Sequence, residues 1–289
     1  MHLALSILMI SAAAADPTAE ARARDVLTAA HEAIAGKRAG SVKGLSLEAE
    51  LRRVQPIEGE PNRDLSGELT VDTAAPDRYL KVETLSPFPG APAFSIGTGF
   101  DGSEAWRAPI GNPGGHGMVI RVADGGGTPG AAEALLRRTR AERARLVLLT
   151  LASPPEGFAL AYAGEAESPE GRAERIDVSD AQGPIGTLFL DKKTRRPLMF
   201  AFKTQAPRMQ IARQMGPGPG DGPPKVPQPP PPAPEVDAKL FVSEWKSVDG
   251  VLLPHRIAQS IEGGASDEWT IKKWKVDPTF KADYFKKQK

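Results

Sequence analysis

The chain has 289 residues, 40% of them hydrophobic, which is enough to bury a sizeable core and excludes wholesale disorder. Its 37 basic and 36 acidic residues give a formal net charge of +1, so the whole molecule has no positive field that would gather nucleic acid. Cysteine is absent. This excludes disulfides, cysteine-ligated metal centres, thiol catalysis and lipid anchoring through an N-terminal cysteine.

Residues 1–15 have the pattern of a secretory signal peptide. An apolar run at 3–10 is followed by small residues, and Ala13 and Ala15 form an A-x-A cleavage pattern before Pro17. The run is shorter than the roughly 20 apolar residues that a membrane-spanning helix needs, and no other segment reaches that length. We therefore expect export to the periplasm of a Gram-negative-type bacterium, with cleavage after the signal. A buried N-terminal helix is the alternative.

Two segments have the periodicity of helices. Residues 17–35 carry apolar side chains at helical spacing and are followed by Gly36, a residue that favours helix ends. Residues 131–151 place apolar side chains at similar spacing among arginines, and the pattern stops before Pro154. We predict one helix before the strand-like part of the chain and one in its middle.

Short runs of alternating apolar and polar residues make up most of the remaining chain. The predicted strands are 45–56, 67–72, 78–83, 94–100, 104–107, 158–163, 172–178, 185–190, 198–202, 240–245, 251–261 and 268–276. Asp101-Gly102 and Asp249-Gly250 each separate two runs and favour tight hairpin turns. No strand–helix–strand alternation occurs, which disfavours a parallel sheet. We predict a mainly β (α+β) fold, a curled antiparallel sheet with helices on one face.

A Pro/Gly-rich insertion occupies residues 207–238. Within it, 10 of the 19 residues at 216–234 are prolines, a composition that cannot pack a core and favours extended or disordered chain. Strand patterns continue on both sides, so we predict a single domain at 16–289 that is interrupted inside a hairpin. An inert spacer and a segment that docks on an aromatic groove are both consistent with this composition.

No motif for catalysis or metal binding can be recognised. His31, His116 and His255 are far apart, none has a second histidine at zinc-ligand spacing, and His31 is expected to be exposed or half-buried on the first helix. No G-x-S-x-G turn and no close pair of carboxylates occur, and the Gly-rich stretch 125–130 lacks the end of a phosphate-binding loop. We predict a protein that is not an enzyme and needs no metal or cofactor; an unrecognised hydrolase stays open.

A curled sheet with helices on its concave side can enclose an apolar cavity. Alternation places Trp269 and Ile271 on one face of their strand, with Thr270 and Lys272 on the other. The predicted wall residues are Leu69, Val71, Tyr79, Phe94, Trp106, Phe189, Phe200, Trp245 and Trp269. The alternative, that these aromatic side chains fill a solid core, stays open at this level.

Several turn and strand motifs occur in an order that one protein family shares. They are S-G-E-L-T-V at 66–71, P-D-R-Y at 76–79, D-G-S-E-A-W at 101–106, G-T-L-F-L-D at 186–191, R-P-L at 196–198, V-D-G-V-L-L-P at 248–254, and the closing Asp277-Pro278 and Phe285. Together they resemble the periplasmic outer-membrane lipoprotein carriers, the LolA-like family. The likeness covers most of the chain after the predicted signal peptide.

The resemblance implies an unclosed β-barrel of about eleven strands, lidded by helices, whose cavity holds acyl chains of a lipoprotein or lipid. Release would go to an outer-membrane acceptor, and relatives on the fold include envelope-stress sensors that bind lipidic ligands. The family has a basic residue directly before the proline that follows its S-G-x-L strand, whereas Ala75 precedes Pro76 here. We expect a monomeric, non-catalytic periplasmic carrier or chaperone for acyl chains. The alternative is an envelope interaction or lipid-sensing module that uses the Pro-rich insertion.

Overall fold

The computed structural model describes residues 17–57, 60–86, 92–110, 130–153, 157–168, 171–206 and 234–287, so the predicted signal peptide lies outside the described residues. The helices are α1 (Pro17–Ala35), the short 3-10 helix η1 (Gly36–Arg38) and α2 (Ala131–Thr150). The strands are β1 (Gly44–Ile57), β2 (Glu60–Ala74), β3 (Arg78–Leu85), β4 (Phe94–Phe100), β5 (Ala105–Ile110), β6 (Ala159–Ser168), β7 (Gly171–Asp180), β8 (Gly183–Asp191), β9 (Pro197–Gln205), β10 (Glu235–Val248), β11 (Val251–Ile261) and β12 (Ser266–Val276). Neither described α-helix is long and apolar enough to cross a membrane.

One antiparallel sheet contains all of these strands, in the order β5-β4-β3-β2-β1-β12-β11-β10-β9-β8-β7-β6. Its outermost strands, β5 and β6, do not pair with each other in the described residues, so the sheet is not closed. Helix α2 contacts β4 and β5 as well as β8 and β9. In a flat sheet β4 and β9 would lie about 34 Å apart, whereas a helix is only about 10 Å wide. The sheet therefore curls around α2, which confirms the predicted unclosed antiparallel barrel, with twelve strands instead of about eleven.

Alternate residues of each strand form the concave face and pack as the core. Leu47 of β1 pairs with Val71 of β2 and with Trp274 of β12, and all three side chains are buried. On the other half of the sheet, Leu188 of β8 pairs with Phe200 of β9, and both are fully buried. Removing such apolar surface from water contributes about 25 cal/mol per Å². This burial, shared by strands and helices, is what holds the curled sheet on its helices.

Local sequence explains where the strands turn and how far they extend. Asp249 and Gly250 have φ angles of 48° and 84°, both positive, as the tight turn between β10 and β11 requires. Strand β1 continues beyond Pro56 because the register shifts between Gln55 and Ile57, which accommodates the missing proline N–H. The first helix ends where predicted, at Ala35, and the second ends at Thr150 instead of 151.

The strands on either side of the Pro-rich segment pair directly with each other. Residues 207–233 lie outside the described residues, and Gln205 at the end of β9 is opposite Glu235 at the start of β10. The predicted 207–238 insertion is therefore too long at its end. Residues 235–238 are strand, because they continue the inward and outward alternation of β10 and pair with β9.

His31 is buried, which corrects the prediction of an exposed or half-buried side chain. The backbone N–H of Gly40 donates to its Nε2 at 3.2 Å, and its Nδ1 lies 2.7 Å from the carbonyl oxygen of Leu151. Because Nε2 accepts, the ring proton is on Nδ1 and the imidazole is neutral. It ties α1 to the end of α2 through backbone groups, which helical periodicity of apolar residues does not reveal.

Candidate functional site

Six of the nine predicted wall residues lie on the concave face. They are Leu69 and Val71 on β2, Tyr79 on β3, Phe94 on β4, Phe200 on β9 and Trp269 on β12. Leu69, Val71 and Phe200 are at most 1% exposed, so they fill the core and leave no open wall. Of the nine, Tyr79 and Trp269 line the cavity described below. The prediction that Trp269 and Ile271 share a face, opposite Thr270, is confirmed by their burial.

Trp106 lies on the convex face, so it does not line a concave cavity. It pairs with Gly99 of β4, and a Cβ added at Gly97 or Gly99 would come within 2.9 Å or 2.3 Å of its indole ring. Its Nε1 donates to the carbonyl oxygen of Phe285 at 2.8 Å. The glycines thus make room for an indole that fastens the C-terminal segment to the outside of the sheet.

Phe189 and Trp245 are also away from the cavity. Phe189 is convex, because it lies between Leu188 and Leu190 of β8, which are both fully buried in the core. The guanidinium of Arg175, its partner in β7, lies 5.9 Å from the Phe189 ring centroid. Trp245 is half-buried opposite Pro254, near the end of β10. Alternation along a strand separates its two faces but does not say which of them becomes concave, so the sequence alone could not place these three residues relative to the cavity.

A cavity of about 250 Å³ opens between α2 and the concave face; we call it the sub-helix cavity. Helix α2 contributes a stripe at helical spacing: Arg138, Glu142, Arg145, Leu146 and Leu149. The sheet contributes Arg53, Tyr79, Lys81, Glu83, Thr98, Arg107, Phe202, Thr204, Leu240, Ile257, Gln259, Asp267 and Trp269. The lining is therefore amphipathic: it combines the predicted apolar side chains with charged ones that the sequence analysis did not place there.

Arg53 is held by two carboxylates, Asp267 on the adjacent strand β12 and Glu83 on β3, two strands away on the other side. It donates through Nε and Nη2 to both oxygens of Asp267, at 2.8 and 2.7 Å, and through Nη2 to Glu83 at 2.8 Å. Burial by itself lowers the pKa of Arg53, but Asp267 and Glu83 outweigh it and raise the pKa above its ordinary value. Burial likewise raises the pKa of Glu83, but the charges of Lys81 and Arg53 lower it to about 2. Arg53 and Glu83 are therefore both charged at neutral pH.

Lys81 links the sheet to α2. Its Nζ bonds to Glu142 of the helix and lies 3.5 Å from Glu83 on its own strand. Burial lowers the pKa of Lys81, and the nearby carboxylates of Glu142 and Glu83 more than restore it, so the pKa is raised. Burial, together with the same carboxylates, raises the pKa of Tyr79 well above its ordinary value. The phenol stays neutral and the ammonium stays charged.

Arg145 differs from these cations, because no carboxylate among the described residues forms an ion pair with it. Its guanidinium lies 4.0 Å from the centroid of the Phe202 ring, and its Nε has no hydrogen-bond acceptor in the described structure. Burial lowers the pKa of Arg145 to about 10, opposed by Glu142 and Tyr79, so it remains charged at neutral pH. Trp269 Nε1 is a second buried donor without an acceptor in this part of the chain. A buried donor without a partner costs about 1–3 kcal/mol.

Positive charge exceeds negative charge on the described cavity wall. Five cationic side chains face the cavity, against the three carboxylates of Glu83, Glu142 and Asp267. All three carboxylates are engaged by Arg53 or Lys81. Among the described residues, Arg145 forms no ion pair with these carboxylates, and it lies beside the apolar side chains of the wall.

Helix α2 is packed unevenly along its length. Its buried residues are Thr139, Ala144, Leu146, Leu148, Leu149 and Thr150. Thus Thr139 is the single buried side chain between residues 131 and 143, whereas the last turns are deeply buried. The first part of the helix contacts the sheet through the half-buried Leu136 and through polar contacts such as Lys81 with Glu142.

A second cavity, of about 700 Å³, lies on another side of α2, beside the turn from β2 to β3. Arg143 of the helix donates to the carbonyl oxygen of Pro76 and lies 3.0 Å from Asp77. Burial lowers the pKa of Arg143, against the charge of Asp77. The helix thus supplies a cation beside Pro76, where the preceding residue in this chain is the apolar Ala75.

The alternation along the strands could have predicted that some charged residues face the cavity. The period-two rule that turns Tyr79 inward also turns Lys81 and Glu83 inward, and extending the β1 alternation from Leu51 reaches Arg53. Charged residues are usually exposed to solvent, so this alternation alone does not single them out as cavity residues. No local pattern predicts that Asp267, 214 positions after Arg53, binds the Arg53 side chain.

No protein-family model and no curated protein matches this chain. The similar solved structures include an outer membrane lipoprotein-sorting domain from Vibrio parahaemolyticus, at 10% identity and a TM-score of 0.47, covering 92% of this chain and 97% of that chain. A LolA superfamily protein from Nitrosomonas europaea has 9% identity and a TM-score of 0.47, covering 91% and 97%. A DUF1329 family protein from Desulfovibrio piger has 11% identity and a TM-score of 0.45, covering 93% and 97%.

Proposed function

We propose that this chain is a non-catalytic, monomeric periplasmic carrier that shields acyl chains of lipoproteins or lipids between α2 and the concave face of the sheet. The observation that carries the proposal is the amphipathic sub-helix cavity beneath a helix whose residues 131–143 bury one side chain. An apolar surface that becomes accessible under a weakly packed helix suits an apolar ligand. Burial of an acyl chain supplies about 25 cal/mol per Å² and needs no cofactor.

The size of the cavity indicates how loading would proceed. At about 250 Å³ it lies just below the roughly 300–1,000 Å³ of ordinary ligand sites, so a long acyl chain needs more room. Arg138 and Glu142 line the cavity from the less buried first part of α2, and moving that part outward would widen the cavity beside Leu146 and Leu149. The carrier would therefore open by displacing the first part of α2, and the ion pairs of Lys81 and Arg143 would favour the closed form.

Export is part of the proposal and rests on the sequence of residues 1–15, which has the order of a secretory signal. In the periplasm a carrier would receive a lipid or lipoprotein on one side and release it to an outer-membrane acceptor on the other. Such transfer needs binding and release but no chemical step.

Native mass spectrometry of the protein exported to a bacterial periplasm tests the proposal. We expect co-purifying lipid or lipopeptide masses that disappear on denaturation and are recovered by organic extraction. A clean ligand-free mass, together with failure to take up added acyl lipids, would contradict it.

A matched pair of variants localises the binding. Leu146→Gln places an amide on the cavity wall and should lower the bound fraction, whereas Leu135→Gln makes the same exchange on the same helix at a position outside the cavity lining. Equal loss in both variants would show that the helix, and not the cavity, had been damaged.

Partner docking is a second candidate, favoured by the hairpin of β9 and β10. This hairpin carries the Pro-rich segment and holds two exposed large apolar side chains, Leu198 at 41% and Phe241 at 42% exposure. An interaction or lipid-sensing module would use this segment for a partner. Deleting residues 216–233 separates the functions, because a carrier keeps its acyl binding and a docking module loses its partner.

A further inference from the structure

We infer that the sub-helix cavity selects amphiphiles with an anionic head, a carboxylate or a phosphate, and that Arg145 binds the head group. The inference rests on the proposed acyl binding and adds the chemistry of the head group. Its physical basis is the juxtaposition of a cation that lacks a carboxylate partner, a buried donor without an acceptor and an apolar wall in one cavity.

The three carboxylates of the cavity wall form their ion pairs with other cations, so Arg145 has no ion-pair partner among the described residues. Asp267 and Glu83 bind Arg53, and Glu142 binds Lys81. Among the described residues Arg145 rests on the face of an aromatic ring and makes no ion pair. A buried guanidinium is most stable with an anion that accepts two parallel hydrogen bonds, as a carboxylate or phosphate does.

Trp269 supplies an independent observation on the same wall. It is 8% exposed, it lines the cavity, and its Nε1–H has no acceptor in the described part of the chain. Hydroxyl groups of Thr98 and Thr204 line the cavity too. Together these groups offer donors to an anion, whereas each of the three carboxylates is already paired with Arg53 or Lys81.

Apolar side chains complete the recognition of an amphiphile. Leu146 and Leu149 from α2, with Leu240 and Ile257 from the sheet, line the same cavity as Arg145. An anion without a chain would leave this surface unused, and a neutral chain would leave the guanidinium without a partner. The cavity therefore fits a ligand that has both parts.

A series of dodecyl ligands that differ in the head group tests the inference by calorimetric titration of the delipidated full chain. The ligands are dodecanoate, dodecyl phosphate, the methyl ester of dodecanoate and dodecyltrimethylammonium, with acetate and inorganic phosphate as anions that lack the chain. We expect the two dodecyl anions to bind about tenfold or more tighter than the ester, the size of one charge-assisted hydrogen bond, and the cation to bind weakest.

Variants connect this preference to the named residues. Arg145→Gln should abolish the preference for dodecanoate over its ester while the affinity for the ester changes little. Arg145→Lys should keep part of the preference, since it retains the charge but loses the planar fork. The control, Arg137→Gln, removes an exposed arginine from the same helix and should change neither affinity. Trp269→Phe should reduce the preference without removing a charge, which keeps the test informative if Arg145→Gln fails to fold.

Each outcome separates this inference from the proposed function. Equal binding of all dodecyl ligands would overturn head-group selection and leave acyl binding intact. Binding of acetate and inorganic phosphate as tight as that of the dodecyl anions would overturn the amphiphile and point to a simple anion site. No binding of any dodecyl ligand would contradict the proposed function as well.

Discussion

Arg53 is the centre of a buried charge network at the edge of the cavity. Its side chain is 18% exposed, and it joins β1 to β3 and β12 through Glu83 and Asp267, which are far from each other in sequence. Removing one partner of such a buried pair is strongly destabilising, because the remaining charge stays buried without compensation. The network is therefore expected to make the stability of the fold depend on pH.

Glu83 determines the direction of that dependence. Its pKa of about 2 in the folded protein is below the ordinary 4.5, so its ionised form stabilises the fold above the ordinary value. This contribution, about 3 kcal/mol, is lost as the pH falls from about 4.5 towards 2. We predict that urea unfolding measured across this range shows declining stability, and that Glu83→Gln flattens the decline. The same exchange at the exposed Glu68 is the control, and an equal flattening there would contradict the assignment.

Trp106 has a structural task on the convex face, since its Nε1 donates to the carbonyl oxygen of Phe285. We predict that Trp106→Phe lowers the free energy of unfolding by about 1 kcal/mol, the value of one hydrogen bond, and leaves dodecanoate binding unchanged. Urea unfolding and the ligand titration measure the two effects separately. Weakened binding at unchanged stability would place Trp106 in the ligand site and contradict its position on the convex face.

The sequence could predict which way some side chains face, but not which distant residues they contact. Tyr79 and Trp269 were found because alternation along a strand is local, and both line the cavity. The inward-facing Lys81 follows from the same alternation. The partnership of Arg53 with Asp267 depends on strands β1 and β12 meeting across the whole chain, and no local pattern contains that contact.

At the scale of elements, α2 is the part whose packing suits movement. Its last turns are buried, whereas residues 131–143 bury only Thr139. Polar contacts help to hold this part to the sheet. The Lys81–Glu142 pair is one such contact, with 14% and 26% of the side chains exposed, so solvent screens it little. The helix is thus fixed by its last turns, and the Lys81–Glu142 ion pair holds the part of the helix just before them.

Breaking the Lys81–Glu142 ion pair should loosen the helix without unfolding the sheet. We predict that Glu142→Gln increases hydrogen exchange of the backbone amides in residues 131–143 by about tenfold or more, because it removes one partner of a mostly buried ion pair. Amides of β1 and β12 should keep their protection. The control is Arg137→Gln on the same helix. Equally faster hydrogen exchange throughout the sheet would contradict a local effect of the Lys81–Glu142 ion pair.

The helices, strands and turns were easier to predict from the sequence than the tertiary contacts between them. Both helices and the turn at Asp249-Gly250 follow from periodicity and turn chemistry, which are local. The first part of β2, residues 60–66, was missed because its sequence is rich in polar and charged residues. It is a strand because it pairs with the far half of β1, a tertiary contact that overrides weak local propensity.

At the scale of the whole molecule, the open barrel tolerates a long insertion at one hairpin. The N–H of Ala206 donates to the carbonyl oxygen of Pro234 at 2.9 Å, so the ends of the segment are already joined by the strands. We predict that deletion of residues 216–233 lowers the melting temperature little and leaves dodecanoate affinity within about twofold of the full chain. Calorimetry of both chains measures this. Loss of acyl binding on deletion would assign the insertion to the ligand site and contradict a cavity under α2.

Photochemical labelling tests the central claim, acyl binding between α2 and the concave face, most directly. The delipidated protein is irradiated with a dodecanoate analogue that carries a diazirine in its chain, and the labelled peptides are mapped by mass spectrometry. We predict saturable labels, displaced by unlabelled dodecanoate, on α2 near Leu146 and Leu149 and on the sheet near Ile257 and Trp269. Labels confined to the convex face around Trp106, or labels that dodecanoate does not displace, would contradict it.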